Sequence, residues 1–252
     1  MSNLPLAGRA ALVTGGGTGI GRAAAVALAR AGADVGIHFR RSEAGAESAR
    51  REIEALGRRG LFLHGDLTVE SEANSVVDRL AEAFGRLDIV FNNAGTPVRH
   101  AKIEQCPTEL WRQVLDVNVT SAFFVTRRAI PHLRAGGHGS IINNLSLSLQ
   151  TGGQGAGPYV AAKGALQGLT RSLARELAPH IRVNAIMPGV IETPHHEQFS
   201  TPEKLAEYRK QTAMGRNGQA VEVAEAVVFL ASDAASFMTG ALLDINGGRY
   251  LR

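Results

Sequence analysis

Short apolar runs alternate with stretches of helical period along the whole chain, and this alternation constrains the fold more than any other feature. Arg9–Thr14, Asp34–Phe39, Leu61–His64, Leu87–Phe91, Gly139–Asn144, Ile181–Ile186 and Ala241–Ile245 have the length and composition of buried strands. Between them, Gly19–Ala31, 43–57, Val69–Phe84, two segments within 108–134, the stretch carrying Leu166, Leu169, Leu173 and Leu177, 202–212 and 221–231 read as helices, with apolar residues at helical spacing in Val69–Phe84 and along Leu166–Leu177. Strands separated by helices pair in parallel through right-handed crossovers, so helices cover both faces of one sheet. The fold predicted is α/β: a single domain over 1–252, built on a doubly wound parallel sheet of about seven strands. A polar segment occupies 190–217.

Composition removes several other classes. With 44% apolar and 20% charged residues, the chain reads as an ordinary globule. No apolar run reaches the ~20 residues of a membrane span, and MSNLPLAGRAALVTGGG has no basic, apolar leader, so the expectation is a cytoplasmic protein with no membrane partner. A lone cysteine, Cys106, permits no internal disulfide and no multi-cysteine metal site. Its most economical role is packing. The net charge of +4 comes with arginine pairs at 50–51, 58–59 and 127–128, but acids lie nearby and no basic run develops, so no nucleic-acid partner is expected.

The 29 glycines are bunched, and the first bunch is informative. Thr14-Gly15-Gly16-Gly17-Thr18-Gly19-Ile20-Gly21 joins the first strand to the first helix. Glycine lets backbone approach a pyrophosphate, and the helix start offers free N–H groups and the positive end of its dipole. No Lys-Ser/Thr follows, which argues against an NTP-binding loop of a kinase or ATPase. A dinucleotide is the ligand implied. Folds that prefer NAD place an acid about 20 residues on, at the ribose hydroxyls. Here that place reads Phe39-Arg40-Arg41-Ser42, so Arg40 and Arg41 are candidates to grip a 2′-phosphate, and NADP(H) is expected ahead of NAD(H).

Tyr159-Val-Ala-Ala-Lys163 follows Pro158, a residue suited to a first helical turn. Four residues apart on a helix, phenol and ammonium share a face. A neighbouring cation favours phenolate, so Tyr159 is expected to be more acidic than an ordinary tyrosine and to serve as an acid or base.

With these motifs the whole chain resembles the short-chain dehydrogenase/reductases. The family's Thr-Gly-x-x-x-Gly-x-Gly matches residues 14–21, and its Asn-Asn-Ala-Gly matches Asn92–Gly95. The family asparagine matches Asn118, the serine matches Ser146, thirteen residues before Tyr159, and the Pro-Gly matches Pro188-Gly189. The look is nearest to the 3-oxoacyl-[acyl-carrier-protein] reductases and their sugar- and steroid-oxidising relatives. The resemblance implies an NAD(P)-binding Rossmann fold and hydride transfer between NADP(H) and a carbonyl or secondary alcohol.

It also implies roles. Tyr159 would exchange a proton with the substrate oxygen. Lys163 would hold the phenol acidic and bond the nicotinamide ribose, Ser146 would polarise the carbonyl, and Asn118 would hold a proton-relay water. Gly15, Thr18, Gly19, Ile20 and Gly21 would cradle the pyrophosphate. Asp66 and Leu67 would bracket the adenine, with Asn93, Ala94 and Gly95 in the centre and Ile191 and Thr193 at the carboxamide, and Pro188 and Gly189 would also bind the cofactor. Ser148 rivals Ser146 by proximity, although the spacing favours Ser146. His195-His196 has no third ligand in view, so no metal is expected, and the 194–215 segment reads as a polar substrate lid. A homotetramer is the family's usual assembly. Two other functions remain in view: an NAD-dependent dehydrogenase of a sugar or sugar acid, and a non-catalytic dinucleotide-binding module.

Overall fold

The computed structural model describes residues 4–153, 155–194 and 199–251. A seven-stranded parallel sheet runs through it, built from β1 (Ala10–Val13), β2 (Asp34–Phe39), β3 (Gly60–His64), β4 (Ile89–Asn92), β5 (Gly139–Asn144), β6 (Ile181–Pro188) and β9 (Leu242–Ile245). The spatial order is β3-β2-β1-β4-β5-β6-β9, so the chain reverses its winding between β1 and β4, where Ala11 faces Ile89 and Val13 faces Phe91. Such a switch point opens a crevice at the carboxyl ends of the strands.

Alternation along each strand feeds both faces. Ala11, Val13, Ile89 and Phe91 pack with α1 (Gly19–Arg30), α2 (Glu43–Ala55) and α9 (Ala220–Ala231). Leu12, Val90, Ile141 and Val183 point the other way, onto α3 (Glu70–Phe84), α5 (Ser121–Ala135) and α7 (Gly157–Leu177). Side chains on a strand alternate sides, so a strand apolar at every position is buried from above and below. This is the doubly wound α/β fold expected from the alternation.

Differences lie at the edges of elements. The helical stretch at 108–134 is α4 (Thr108–Leu115) and α5 joined by a π-helical turn at Asp116–Thr120. A short α6 (Ser148–Thr151) sits in the glycine-rich loop after β5. The polar segment and its flank carry β7 (Ile191–Glu192), α8 (Pro202–Lys210) and β8 (Gly218–Gln219). Ile191 pairs with Gly218 and Glu192 with Gln219, closing the base of the loop. His195, His196, Glu197 and Gln198 lie outside the described residues. No helix among the described residues is long and apolar enough to cross a membrane.

Candidate active site

A cleft of about 420 Å³ opens at the carboxyl ends of the strands. The turn after β1 forms one wall. Thr14 is buried there, and its Oγ1 accepts the backbone N–H groups of Asn93 (2.9 Å) and Ala94 (3.0 Å), tying the end of β1 to the end of β4. Asn93 returns the tie, donating Nδ2 to Thr14 O at 2.9 Å and Gly15 O at 3.2 Å. A Cβ on Gly21 would lie 2.5 Å from that Nδ2 and closer still to Gly15 O, so only glycine lets α1 start this close to the turn. Thr18 precedes α1 without a side-chain cap, and the first turn of the helix holds no acid. Backbone N–H groups at a helix start, with no carboxylate among them, suit a pyrophosphate.

His38 braces this turn from β2. Its Nδ1 accepts the Gly15 N–H at 3.2 Å, while its Nε2 donates to Gly65 O at 3.0 Å. Burial pulls its pKa down to about 4, against the Gly65 bond, so the ring is neutral at physiological pH and keeps Nδ1 as an acceptor. Sequence analysis places Thr14 in the glycine-rich motif but gives His38 no role. A polar residue inside the apolar run Asp34–Phe39 was the available signal.

On the opposite wall, Tyr159 and Lys163 lie on the first turns of α7, with Pro158 at the helix start as expected. Lys163 is buried; its Nζ donates to Asn144 O at 2.7 Å and lies 5.5 Å from the centre of the Tyr159 ring. Ser146 faces the tyrosine on the same wall and favours its ionised form. Ser146 Oγ in turn accepts from Ser148, 2.9 Å from its hydroxyl and 3.2 Å from its amide, so its own proton is left for the phenol oxygen. The rival serines thus stand in series: Ser146 meets Tyr159 and Ser148 stands behind it.

Asn118 lies on the π-helical turn, buried behind Gly95, and does not itself line the cleft. Ser121 N–H there bonds Asp116 O, five residues back. The amide of Asn118 is buried, donating Nδ2 to Val114 O and Thr96 O, both at 2.8 Å, and accepting Thr96 N–H at 3.1 Å. π-turns inside α-helices recur at functional sites because they re-aim a side chain. Gly95 completes the arrangement: a Cβ there would sit 2.5 Å from Asn118 Oδ1 and 3.1 Å from Lys163 Nζ. The segment after Gly95 carries Val98 at φ 61, a left-handed conformation costly for a β-branched residue, where it packs beside Tyr159 against Leu110, Val114 and Ala162. Cys106 packs against the same cluster.

One expectation is reversed. Lys163 was expected to make Tyr159 more acidic, but burial pushes the phenol up to about 12, with Ser146 pulling weakly the other way. Burial also draws Lys163 down to about 8. Desolvation penalises phenolate and ammonium alike, and the ammonium is aimed at Asn144 O.

The other residues singled out from the sequence fall into two groups. Gly15, Thr18, Gly19, Ile20, Gly21, Arg40, Asn93, Ala94 and Gly95 line the cleft, as do Ser146, Tyr159, Lys163, Pro188, Gly189, Ile191 and Thr193. Arg41, Asp66 and Leu67 do not: Arg41 is exposed, Leu67 is buried in the core, and Asp66 holds Arg40 Nη2 at 2.6 Å. Burial opposes the ionised Asp66, but the Thr68 hydroxyl and amide, with Arg40, hold its pKa below the usual carboxylate value.

Comparison with known proteins decides the family. A family profile described as Enoyl-(Acyl carrier protein) reductase matches residues 15–249. An uncharacterized oxidoreductase of Bacillus subtilis (strain 168) is 40% identical over 98% of this chain and 85% of its own. The L-rhamnose 1-dehydrogenase (NAD(P)(+)) of Sphingomonas sp. (strain SKA58) is 37% identical over 98% of both chains. A 7α-hydroxysteroid dehydrogenase, solved with NADH and 7-oxo glycochenodeoxycholic acid, superposes with a TM-score of 0.93 at 32% identity, covering 99% of this chain and 98% of its own.

The chain belongs to the short-chain dehydrogenase/reductase family. It is therefore an oxidoreductase acting on alcohols or carbonyls, with a nicotinamide dinucleotide as the family's cofactor. The glycine-lined turn and uncapped start of α1 fit that group. So does Asn144, whose buried Oδ1 has no hydrogen-bond partner and which lines the same cleft. Among the described residues, no three His, Cys, Asp or Glu side chains are grouped to hold a metal ion.

Proposed function

We propose that this short-chain dehydrogenase/reductase interconverts a carbonyl and a secondary alcohol using Tyr159, Ser146, Lys163 and Asn118, with NADP(H) as its preferred cofactor. The observation that carries the reading is the convergence of Tyr159, Ser146 and buried Lys163 on one cleft wall, Lys163 one helical turn from the tyrosine. The bound dinucleotide supplies or accepts the hydride. The protein's residues handle the proton and the oxygen. A carbonyl oxygen between Ser146 and Tyr159 accepts from both hydroxyls, which polarises the C=O bond. With its pKa near 12, Tyr159 holds its proton at neutral pH and is ready to pass it to the oxygen as negative charge develops there. Lys163 would bond the nicotinamide ribose, and Asn118, set beside it by Gly95, would hold the relay water that returns the proton.

The NADP(H) preference rests on Arg40, a cation on the cleft wall at the end of β2, where NAD-preferring folds place an acid. One observation favours the second reading, NAD(H): Arg40 is already bonded to Asp66, whose charge opposes a 2′-phosphate. Oxidation of NADPH and NADH is therefore followed by the loss of reduced-nicotinamide absorbance across ketoesters, diketones and keto-sugars. The proposal expects NADPH to be preferred, Arg40→Asp to weaken NADPH binding far more than NADH binding, and Asp66→Asn to strengthen NADPH. Preference for NADH with every accepted substrate overturns the cofactor assignment. The homotetramer belongs to the same proposal, supported by Trp111 on α4 and Phe123 on α5, 37% and 40% exposed; light scattering measures the mass.

A further inference from the structure

We infer that Arg249 is the anion-recognising residue of the cleft, and that the substrate is an oxo or hydroxy acid whose carboxylate lies apart from the reacting carbon. This rests on the oxidoreductase reading above and adds a substrate class to it.

Arg249 comes from the turn after β9 and lines the same cleft as Ser146 and Tyr159. The turn is held in shape. Asn246 accepts Gly248 N–H on its Oδ1 (2.9 Å) and Arg249 N–H on its backbone oxygen (3.2 Å), and its Nδ2 donates to Tyr250 O at 3.1 Å. Met214 N–H bonds Gly247 O across the turn at 3.1 Å. The side chain is oriented too. Its guanidinium carbon lies 4.1 Å from the centre of the Tyr208 ring, on α8, and Nη2 donates to Gln211 Oε1 at 3.1 Å. A guanidinium held over a ring has donors left for a planar, forked acceptor.

Its electrostatic setting differs from that of its neighbours. Around the lid, Lys204 pairs with Glu207 (3.2 Å), Arg209 with Glu192 (3.6 Å) and Arg216 with Glu222 (2.5 Å). Arg249 forms no ion pair with a carboxylate among the described residues. The described lining residues include the cations Arg40, Lys163 and Arg249 and no Asp or Glu. Arg40 is bonded to Asp66 and Lys163 to Asn144 O, which leaves Arg249 as the cation presented by the lid side. A cleft lined by one sign of charge concentrates ligands of the other, and an oriented fork selects a carboxylate over a neutral amide.

The test uses keto acids and their primary amides: levulinate, its next-longer homologue and oxocyclohexanecarboxylate, each paired with its amide, beside the neutral ketones of the panel above. The wild type is expected to prefer the acid in at least one pair, about tenfold or more in kcat/KM and chiefly through KM. Arg249→Met should bring that ratio close to one, and Arg249→Lys should keep part of it. Should Arg249→Met fail to fold, Tyr208→Leu removes the stacking platform and should lower the ratio part-way. Neutral ketones reduced while no acid is preferred, or a preference that survives Arg249→Met, overturns the inference. Turnover of nothing at all, acid, amide or ketone, sinks the oxidoreductase reading beneath it instead.

Discussion

The two ends of the sheet treat buried polar groups in opposite ways. At the amino ends of the strands they satisfy one another. Asp88 accepts Ala10 N–H at 2.8 Å and two Arg86 N–H groups at 2.7 Å. Arg182 donates to Leu230 O and Ser232 O, and Ser140 to Leu230 O, so the last carbonyls of α9 have partners. At the carboxyl ends, glycines at 21 and 95 keep side chains out of the way, and Lys163 and Ser146 are fixed by one set of bonds while lining the cleft, with Asn118 buried behind Gly95. One end is closed chemistry that holds strands together; the other leaves oriented donors where a ligand can meet them.

The largest effect expected from that contrast is at Tyr159. Tyr159→Phe removes only the hydroxyl, so kcat/KM should fall roughly 100- to 10,000-fold while cofactor binding, read by fluorescence titration, persists. Wild-type turnover in this variant would break the contrast at its functional end. At the amino end, Asp88→Ala should do the reverse. It leaves Ala10 N–H unpaired and Arg86 without its carboxylate, a loss of about 3 kcal/mol, or roughly 6–12 °C in Tm for a chain of this size. The fraction that remains folded should turn over substrate at the wild-type rate. A large fall in kcat with an unchanged melt would show that Asp88 serves the cleft after all.

His38 belongs to the carboxyl end yet acts through structure, and pH exposes it. Its folded pKa, about 4, lies below the ordinary 6.5, so between those values the unfolded chain binds the extra proton. Stability from this residue is therefore complete above pH 6.5 and is lost as pH falls towards 4. A depression of that size is worth about 3 kcal/mol. Denaturant melts of the wild type and His38→Asn, compared across that window, should converge as acid is added. Parallel curves would mean that the ring is not held neutral by burial.

Much of this was legible in the chain before folding. Because both sheet faces are covered, strands read as unbroken apolar runs and helices as stripes, and period alone located them. Tyr159 and Lys163 were legible because one helical turn brings them together. What escaped was whatever depends on partners distant in sequence or on burial. Asp66 reaches Arg40 only because β2 and β3 end side by side. Whether a phenol is made more or less acidic depends on how dry its surroundings are, and four residues of sequence do not record that. The π-helical turn at Asn118 has no period of its own to read, and Arg249 meets Tyr208 only once β9 has been laid beside β6.

The smallest effect separates burial from position. Asp233 stands at the amino end, as Asp88 does, and bonds Arg9 Nη2 at 2.6 Å, but 73% of its side chain is exposed. The Arg9 bond holds its pKa below the usual carboxylate value, so its contribution is present at neutral pH and is lost as acid protonates it. Water already solvates an exposed carboxylate, and holding two side chains in one geometry costs entropy, so such pairs contribute less than about 1 kcal/mol. Asp233→Asn, which keeps an oxygen for Arg9, should therefore melt within about 2–4 °C of the wild type. A drop matching that of Asp88→Ala would mean that the amino end depends on its charges wherever they lie, and that burial is not what makes Asp88 matter.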